Sequence, residues 1–162
     1  MNQMPINKKE HMLFTFLMVF FMAIVMSTYN VVIHEGFTRK AIEIAWMTFP
    51  ITFVLAFLCE WFIVGPMAMA LIKRFVKESD PLPKKVMLSA LFFVTGMVIM
   101  MSFLCSLVFT PFDSAWTSNW LMAMPRNFMM AYPLQVLIAG PLVLTVFRKL
   151  FPVGTIVHPA AE

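Results

Sequence analysis

The sequence predicts an all-α integral membrane protein whose four transmembrane helices form two parallel hairpin repeats. Three observations predict it. Apolar residues make up 61% of the chain and charged residues only 12%, about half the charged share of a soluble domain. The apolar residues gather into four long runs almost without charge, each enough to cross about 30 Å of hydrocarbon as a helix. Finally, Leu58-Cys59-Glu60-Trp61-Phe62-Ile63-Val64-Gly65-Pro66 returns 75 residues later as Pro133-Leu134-Gln135-Val136-Leu137-Ile138-Ala139-Gly140-Pro141. The same gap-free offset carries Pro50 onto Pro125, Phe53 onto Phe128, Ala56 onto Ala131 and Ser27 onto Ser102.

Continuous apolarity without strict alternation reads as helix and excludes a membrane barrel. Residues 1–11 form a polar N-terminus in which Lys8, Lys9 and His11 lead into the first span. Residues 12–33 are too long for the apolar core of a signal peptide and no small-residue cleavage site follows, so they read as a retained helix. Its far end carries Ser27, Thr28, Tyr29 and Asn30, which suit interfacial polarity and hydrogen bonding between helices. Ala23 with Ser27, and Ser102 with Ser106, are small pairs at the spacing of close helix contacts.

Gly36 is placed to break the chain before the second span. That span, residues 41–72, is interrupted only by Glu43 and Glu60 and exceeds one membrane thickness, so it must tilt, kink or protrude. Pro50, Gly65 and Pro66 are its expected break positions, with Trp46 in the aromatic belt. The first repeat closes at residue 76, and residues 77–85 form a linker in which two prolines are expected to end any helix. The second repeat covers residues 86–151. Its third span runs from about residue 86 to 109, Thr110 to Ser114 make a turn, and the fourth span runs from about residue 120 to 147. Pro125, Pro133, Gly140 and Pro141 are its break positions, and Trp116 and Trp120 its belt residues. Residues 152–162 form a short tail.

Orientation follows from basic residues. Nine lie in the termini and the central linker, Lys8, Lys9, Lys73, Arg74, Lys77, Lys84, Lys85, Arg148 and Lys149, against Arg39 and Lys40 in the other loops. The expectation is a multi-pass cell-membrane protein with both termini cytoplasmic. Each repeat holds an even number of spans, so the two point the same way, related by an axis along the membrane normal. The net charge of +4 therefore serves topology; no basic strip with interleaved aromatics marks a nucleic-acid site.

The order Gly36-Phe37, Trp46, Pro50, Gly65-Pro66, Lys73-Arg74, followed by Phe112, Trp120, Pro125, Gly140-Pro141 and Arg148-Lys149, resembles a bacterial membrane family catalogued as domain of unknown function 2798. Many members of that family resemble single two-helix hairpins, and this chain resembles a tandem form over roughly residues 11–151, departing where Pro111 stands in the place of Gly36. The resemblance implies a fold and a membrane location, and no activity. If single hairpins pair as parallel dimers, the resemblance implies that this chain is that dimer fused.

Four residues make a candidate intramembrane polar site. Glu60 leads, because an acidic residue inside a span costs about 2.5–3.5 kcal/mol on insertion scales and needs a partner or a task. Gln135 is its counterpart in the second copy. The two are expected either to hydrogen-bond across the repeat interface or to form a proton- or cation-coupling site. Arg126 replaces Ile51 of the first copy and lies about 13 Å from Gln135 along a helix, on its opposite face. It is expected either to snorkel to the headgroups or, with Asn127, to draw anions into a vestibule. Cys59 and Cys105 read as packing residues, and the 17 methionines as apolar filling rather than copper ligands. His11, His34 and His158 are far apart in sequence. No catalytic, cofactor-binding or metal-binding constellation is seen. The sequence thus points to a non-catalytic membrane protein with a structural or partner-binding role, its surroundings the lipid bilayer and a membrane protein partner or a second copy of itself. The alternative is a small proton- or ion-coupled transporter or channel using Glu60 and Gln135.

Overall fold

The computed structural model describes residues 8–77, 79–109 and 116–152. It is all-helical among them: α1 (Lys8–Glu35), α2 (Arg39–Cys59), α3 (Gly65–Phe75), α4 (Leu82–Phe109), α5 (Trp116–Pro133) and α6 (Gly140–Leu150). A π-helical turn, Glu60–Val64, joins α2 to α3 without a break, and a second, Leu134–Ala139, joins α5 to α6. The result is four helices long and apolar enough to cross a membrane, Lys9–Ile33, Arg39–Phe75, Pro83–Leu107 and Trp116–Leu150. The turn at Thr110 to Ser114 and the tail lie outside the described residues.

The ends of the elements follow from local chemistry. α1 stops at Glu35 because Gly36 takes φ +75°, a left-handed conformation that a side chain disfavours. Thr38 then caps α2, its hydroxyl accepting from the Ala41 N–H at 3.2 Å. Between the repeats, helix persists to Phe75 and resumes at Leu82, four residues before the expected start of the third span. Pro81 lies in the non-helical linker, but Pro83 does not exclude helix. Pro83 sits in the first turn of α4, where no intrahelical N–H is required.

Asp80 organises this linker. Its carboxylate accepts from Lys84 Nζ at 2.8 Å and from the Lys77 N–H at 2.9 Å. The Lys84 hydrogen bond first, and the Lys77 N–H second, hold its pKa below the ordinary carboxylate value. A depressed folded pKa means that the contact is fully present above the unfolded value of about 3.9 and is lost as pH falls through the folded value. Titration of Asp80 by NMR should therefore give a midpoint below that of an isolated aspartate, and Lys84→Ala should move it back up.

Small residues set the core. Val19, Ala23 and Ser27 of α1 are buried at four-residue spacing, and so are their counterparts Val94, Val98 and Ser102 of α4. One face of each helix therefore approaches its neighbours closely. α1 packs along α2, and α4 along α5. Phe16 meets Phe53 and Phe57 edge-on, while Phe20 meets Phe49 and Phe53. These ring pairs set the antiparallel register of the first two spans. Across the repeats, α3 packs on α4 and α6 on α1. Val64 is fully buried, and a Cβ at Gly96 would lie 2.7 Å from its Cγ1. The offset counterparts of this pair are Ala139 and Phe21, with the larger and the smaller residue exchanged between the two helices.

A buried ion pair closes the bundle. Arg148 Nη1 of α6 donates to Glu10 Oε2 of α1 at 3.3 Å, and the two side chains are 13% and 2% exposed. The guanidinium also lies 5.1 Å from the Phe147 ring centroid, whose edge contact is Phe14. The counterparts of Glu10 and Arg148 are Lys85 and Lys73, so this tie exists on one side of the duplication only.

Candidate functional site

The second span is wound into α2 by an apolar run and capped by Thr38, and its regular hydrogen bonding ends at Gly65-Pro66. Proline offers no N–H, and in an unbroken α-helix its ring would strike the carbonyl four residues earlier. Here the turn widens instead. The N–H of Gly65 donates to the carbonyl of Glu60, five residues back. The second copy repeats the solution, Gly140 donating to the carbonyl of Gln135. Glycine is required because the approach is close: a Cβ at Gly65 would lie 2.6 Å from the Glu60 carbonyl oxygen, and one at Gly140 3.0 Å from that of Gln135.

The expected break positions thus divide. Gly65, Pro66, Gly140 and Pro141 mark two π turns; Pro133 is the last α-helical residue before the second; Pro50 and Pro125 lie inside uninterrupted α-helix. Thr48 and Thr52, on either side of Pro50, donate their hydroxyls to the carbonyls of Ile44 and Thr48.

Glu60 stands at the start of the first π turn and is 8% exposed. It lines a cavity of about 240 Å³ together with His11 and Thr15 of α1, Trp61, Gly65, Pro66 and Met69 of the second span, and Phe93 of α4. His11 Nδ1 and the Thr15 hydroxyl are 3.5 Å apart. No hydrogen bond or ion pair holds the Glu60 carboxylate among the described residues.

Gln135 is half-buried and does not line this cavity. No hydrogen bond joins it to Glu60 among the described residues. The first π turn packs on α4, and the second on both α4 and α1.

Arg126 and Asn127 are likewise not brought to one site. Asn127 is buried, and its amide donates to Ser102 Oγ at 3.2 Å, tying α5 to α4. Arg126 is half-buried, with its Nε lacking a hydrogen-bond partner among the described residues. Trp116, expected in the aromatic belt, is buried instead, with its indole donating to the Ser106 carbonyl at 3.1 Å and stacked on Trp120. Trp46 is 63% exposed. A second cavity, of about 320 Å³, lies between α4 and α5 beside Pro125; among the described residues Thr95 is its one polar lining residue.

Sequence reasoning missed His11 and Thr15 as companions of Glu60, and Glu10 with Arg148 as a buried pair. A signal existed for the first. Under the 75-residue offset, His11, Thr15 and Glu60 become Val86, Ala90 and Gln135. The three polar residues differ together from their counterparts, as members of one site would.

The family model described as Domain of unknown function (DUF2798) matches residues 7–76 and matches again over residues 83–151. No curated protein and no solved structure matches the chain.

Proposed function

The chain belongs to this family in a two-copy form, and we propose that it is a small cell-membrane protein with a non-catalytic structural or partner-binding role. Its spans form two parallel hairpin repeats, with both termini and the central linker in the cytoplasm. One observation carries this reading: buried polar side chains tie spans to one another, Arg148 to Glu10 and Asn127 to Ser102. A bundle stapled in this way presents its remaining surface to lipid and to other membrane proteins. An affinity-tagged chain solubilised with native lipid should bring down one membrane protein, or a second copy of itself, in fixed ratio. A chain that runs alone by light scattering, both in gently solubilised membranes and after purification, would count against the partner-binding role.

A second reading, a proton- or ion-coupled transporter or channel, is favoured by Glu60. A buried carboxylate that no hydrogen bond or ion pair holds among the described residues, placed on a π turn, is an arrangement that transport sites use. Only Glu60, without Gln135, would serve it. In proteoliposomes, Glu60→Gln should reduce ion-driven flux at least tenfold while abundance and melting temperature stay within a few degrees of wild type. Flux that survives the substitution, or no flux in the wild type, would remove this reading and leave the first.

A further inference from the structure

We propose that the cavity between α1, the first π turn and α4 binds a small alkylammonium ion, with Glu60 as counter-ion and Trp61 and Phe93 as its aromatic walls. This deepens the transport reading by naming a ligand class for the same site, but it requires only binding, not movement.

The charge comes first. Glu60 is more than nine-tenths buried, and no hydrogen bond or ion pair holds its carboxylate among the described residues. Arg148, on α6 where it packs on α1, is held by Glu10. A buried anion without a cation is strongly unfavourable, so a cationic ligand at this place replaces a missing partner.

Size and composition then select the cation. A cavity of about 240 Å³ greatly exceeds a bare inorganic ion. Calcium takes six to eight oxygen ligands and a structural zinc four donors. The cavity offers one carboxylate and two further polar side chains, His11 and Thr15, which already face each other at 3.5 Å. Its other walls, Trp61, Pro66, Met69 and Phe93, are apolar or aromatic. One buried carboxylate beside aromatic rings is the chemistry that recognises alkylammonium groups, through Coulomb attraction and cation–π contact. The π turn adds to it, because Pro66 brings no N–H for the Trp61 carbonyl, its partner in the five-residue register.

The second copy supplies an internal control. At the positions of Glu60, Trp61, His11, Thr15 and Phe93 it has Gln135, Val136, Val86, Ala90 and Met18. Charge, ring and hydroxyl are absent together, while Gly140-Pro141 and its π turn are kept. The turn therefore belongs to the fold, and the polar and aromatic lining belongs to the first copy.

The test is equilibrium binding to the purified full chain in phosphatidylcholine nanodiscs, with tetraethylammonium as probe and calorimetry as readout. Saturable one-to-one binding is expected, weakened at least tenfold by Glu60→Gln and severalfold by Trp61→Leu, with Gln135→Leu unchanged. Should Glu60→Gln fail to fold, Glu60→Asp and Trp61→Leu decide: Trp61→Leu with undiminished affinity overturns the proposal. No saturable binding to the wild type, or binding that Glu60→Gln leaves intact, also overturns it. Glu60-dependent proton or sodium flux without tetraethylammonium binding would end this proposal and keep the transport reading. Binding without any flux would do the reverse.

Discussion

Arg148→Ala should destabilise the folded bundle by about 3–5 kcal/mol, the cost of breaking a buried ion pair by removing one member. Glu10 is 2% exposed, and the substitution takes away both its ion pair and the guanidinium packed over Phe147. The effect should exceed that of any substitution among the exposed basic residues, because exposed ion pairs contribute only about 0–1 kcal/mol. Arg39 with Glu43, where both side chains are largely exposed, is the matched control. Replacing Glu10 and Arg148 together by methionine should recover much of the loss, since two apolar groups of similar length leave no unpaired charge. Unfolding in mixed micelles, monitored by tryptophan fluorescence, measures all three. An Arg148→Ala protein within 0.5 kcal/mol of wild type would show that the pair does not hold α6 to α1.

Gly65→Ala should cost about 1–3 kcal/mol, the range for overpacking and for backbone strain, and more than the same change at Gly140. The new methyl group would meet backbone rather than a yielding side chain: the Glu60 carbonyl oxygen at 2.6 Å, against 3.0 Å to Gln135 at Gly140. Because the π turn contains one residue more than an α turn, losing it would rotate the residues on one side by about 100° relative to the other. Glu60 would then leave its cavity. The two glycine variants therefore separate stability from the site: Gly65→Ala should lower both melting temperature and alkylammonium binding, whereas Gly140→Ala should lower melting temperature only. Equal losses of binding in both would mean that the π turn does not position Glu60.

Much of the fold was legible because its causes are local or repetitive. Four apolar runs become four helices of spanning length, and Gly36 ends the first where predicted. The third span begins four residues earlier than its prolines suggest, while its far end at Phe109 is as expected. At the first turn of α4 the missing N–H of Pro83 costs nothing. Trp116 was misplaced because a tryptophan near a span end suits the headgroup layer and a hairpin end equally well. The acceptor that decides between them, the Ser106 carbonyl, belongs to another helix.

The candidate site was half legible. Glu60 stood out by its cost in an apolar span, and Gly65-Pro66 marked the turn that carries it. Its surroundings did not stand out. Fixing His11 beside Glu60 requires the antiparallel register set by Phe16, Phe20, Phe53 and Phe57, and bringing Phe93 to the same cavity requires the packing of α3 on α4. Glu10 and Arg148 are separated by 138 residues, and nothing within either neighbourhood points to the other.

The amino-acid sequence by itself determined the number of spans, the duplication and the two Gly-Pro positions where helical hydrogen bonding must change. These follow from hydrophobicity, from comparison of the chain with itself and from the missing N–H of proline, all properties of contiguous residues. Only the tertiary structure decided which polar groups share a space: Glu60 with His11 and Thr15, Asn127 with Ser102, Glu10 with Arg148. Those partnerships depend on how far each helix is rotated and advanced against its neighbours. Close packing of side chains, Val64 against Gly96 among them, sets both, and no local pattern encodes it.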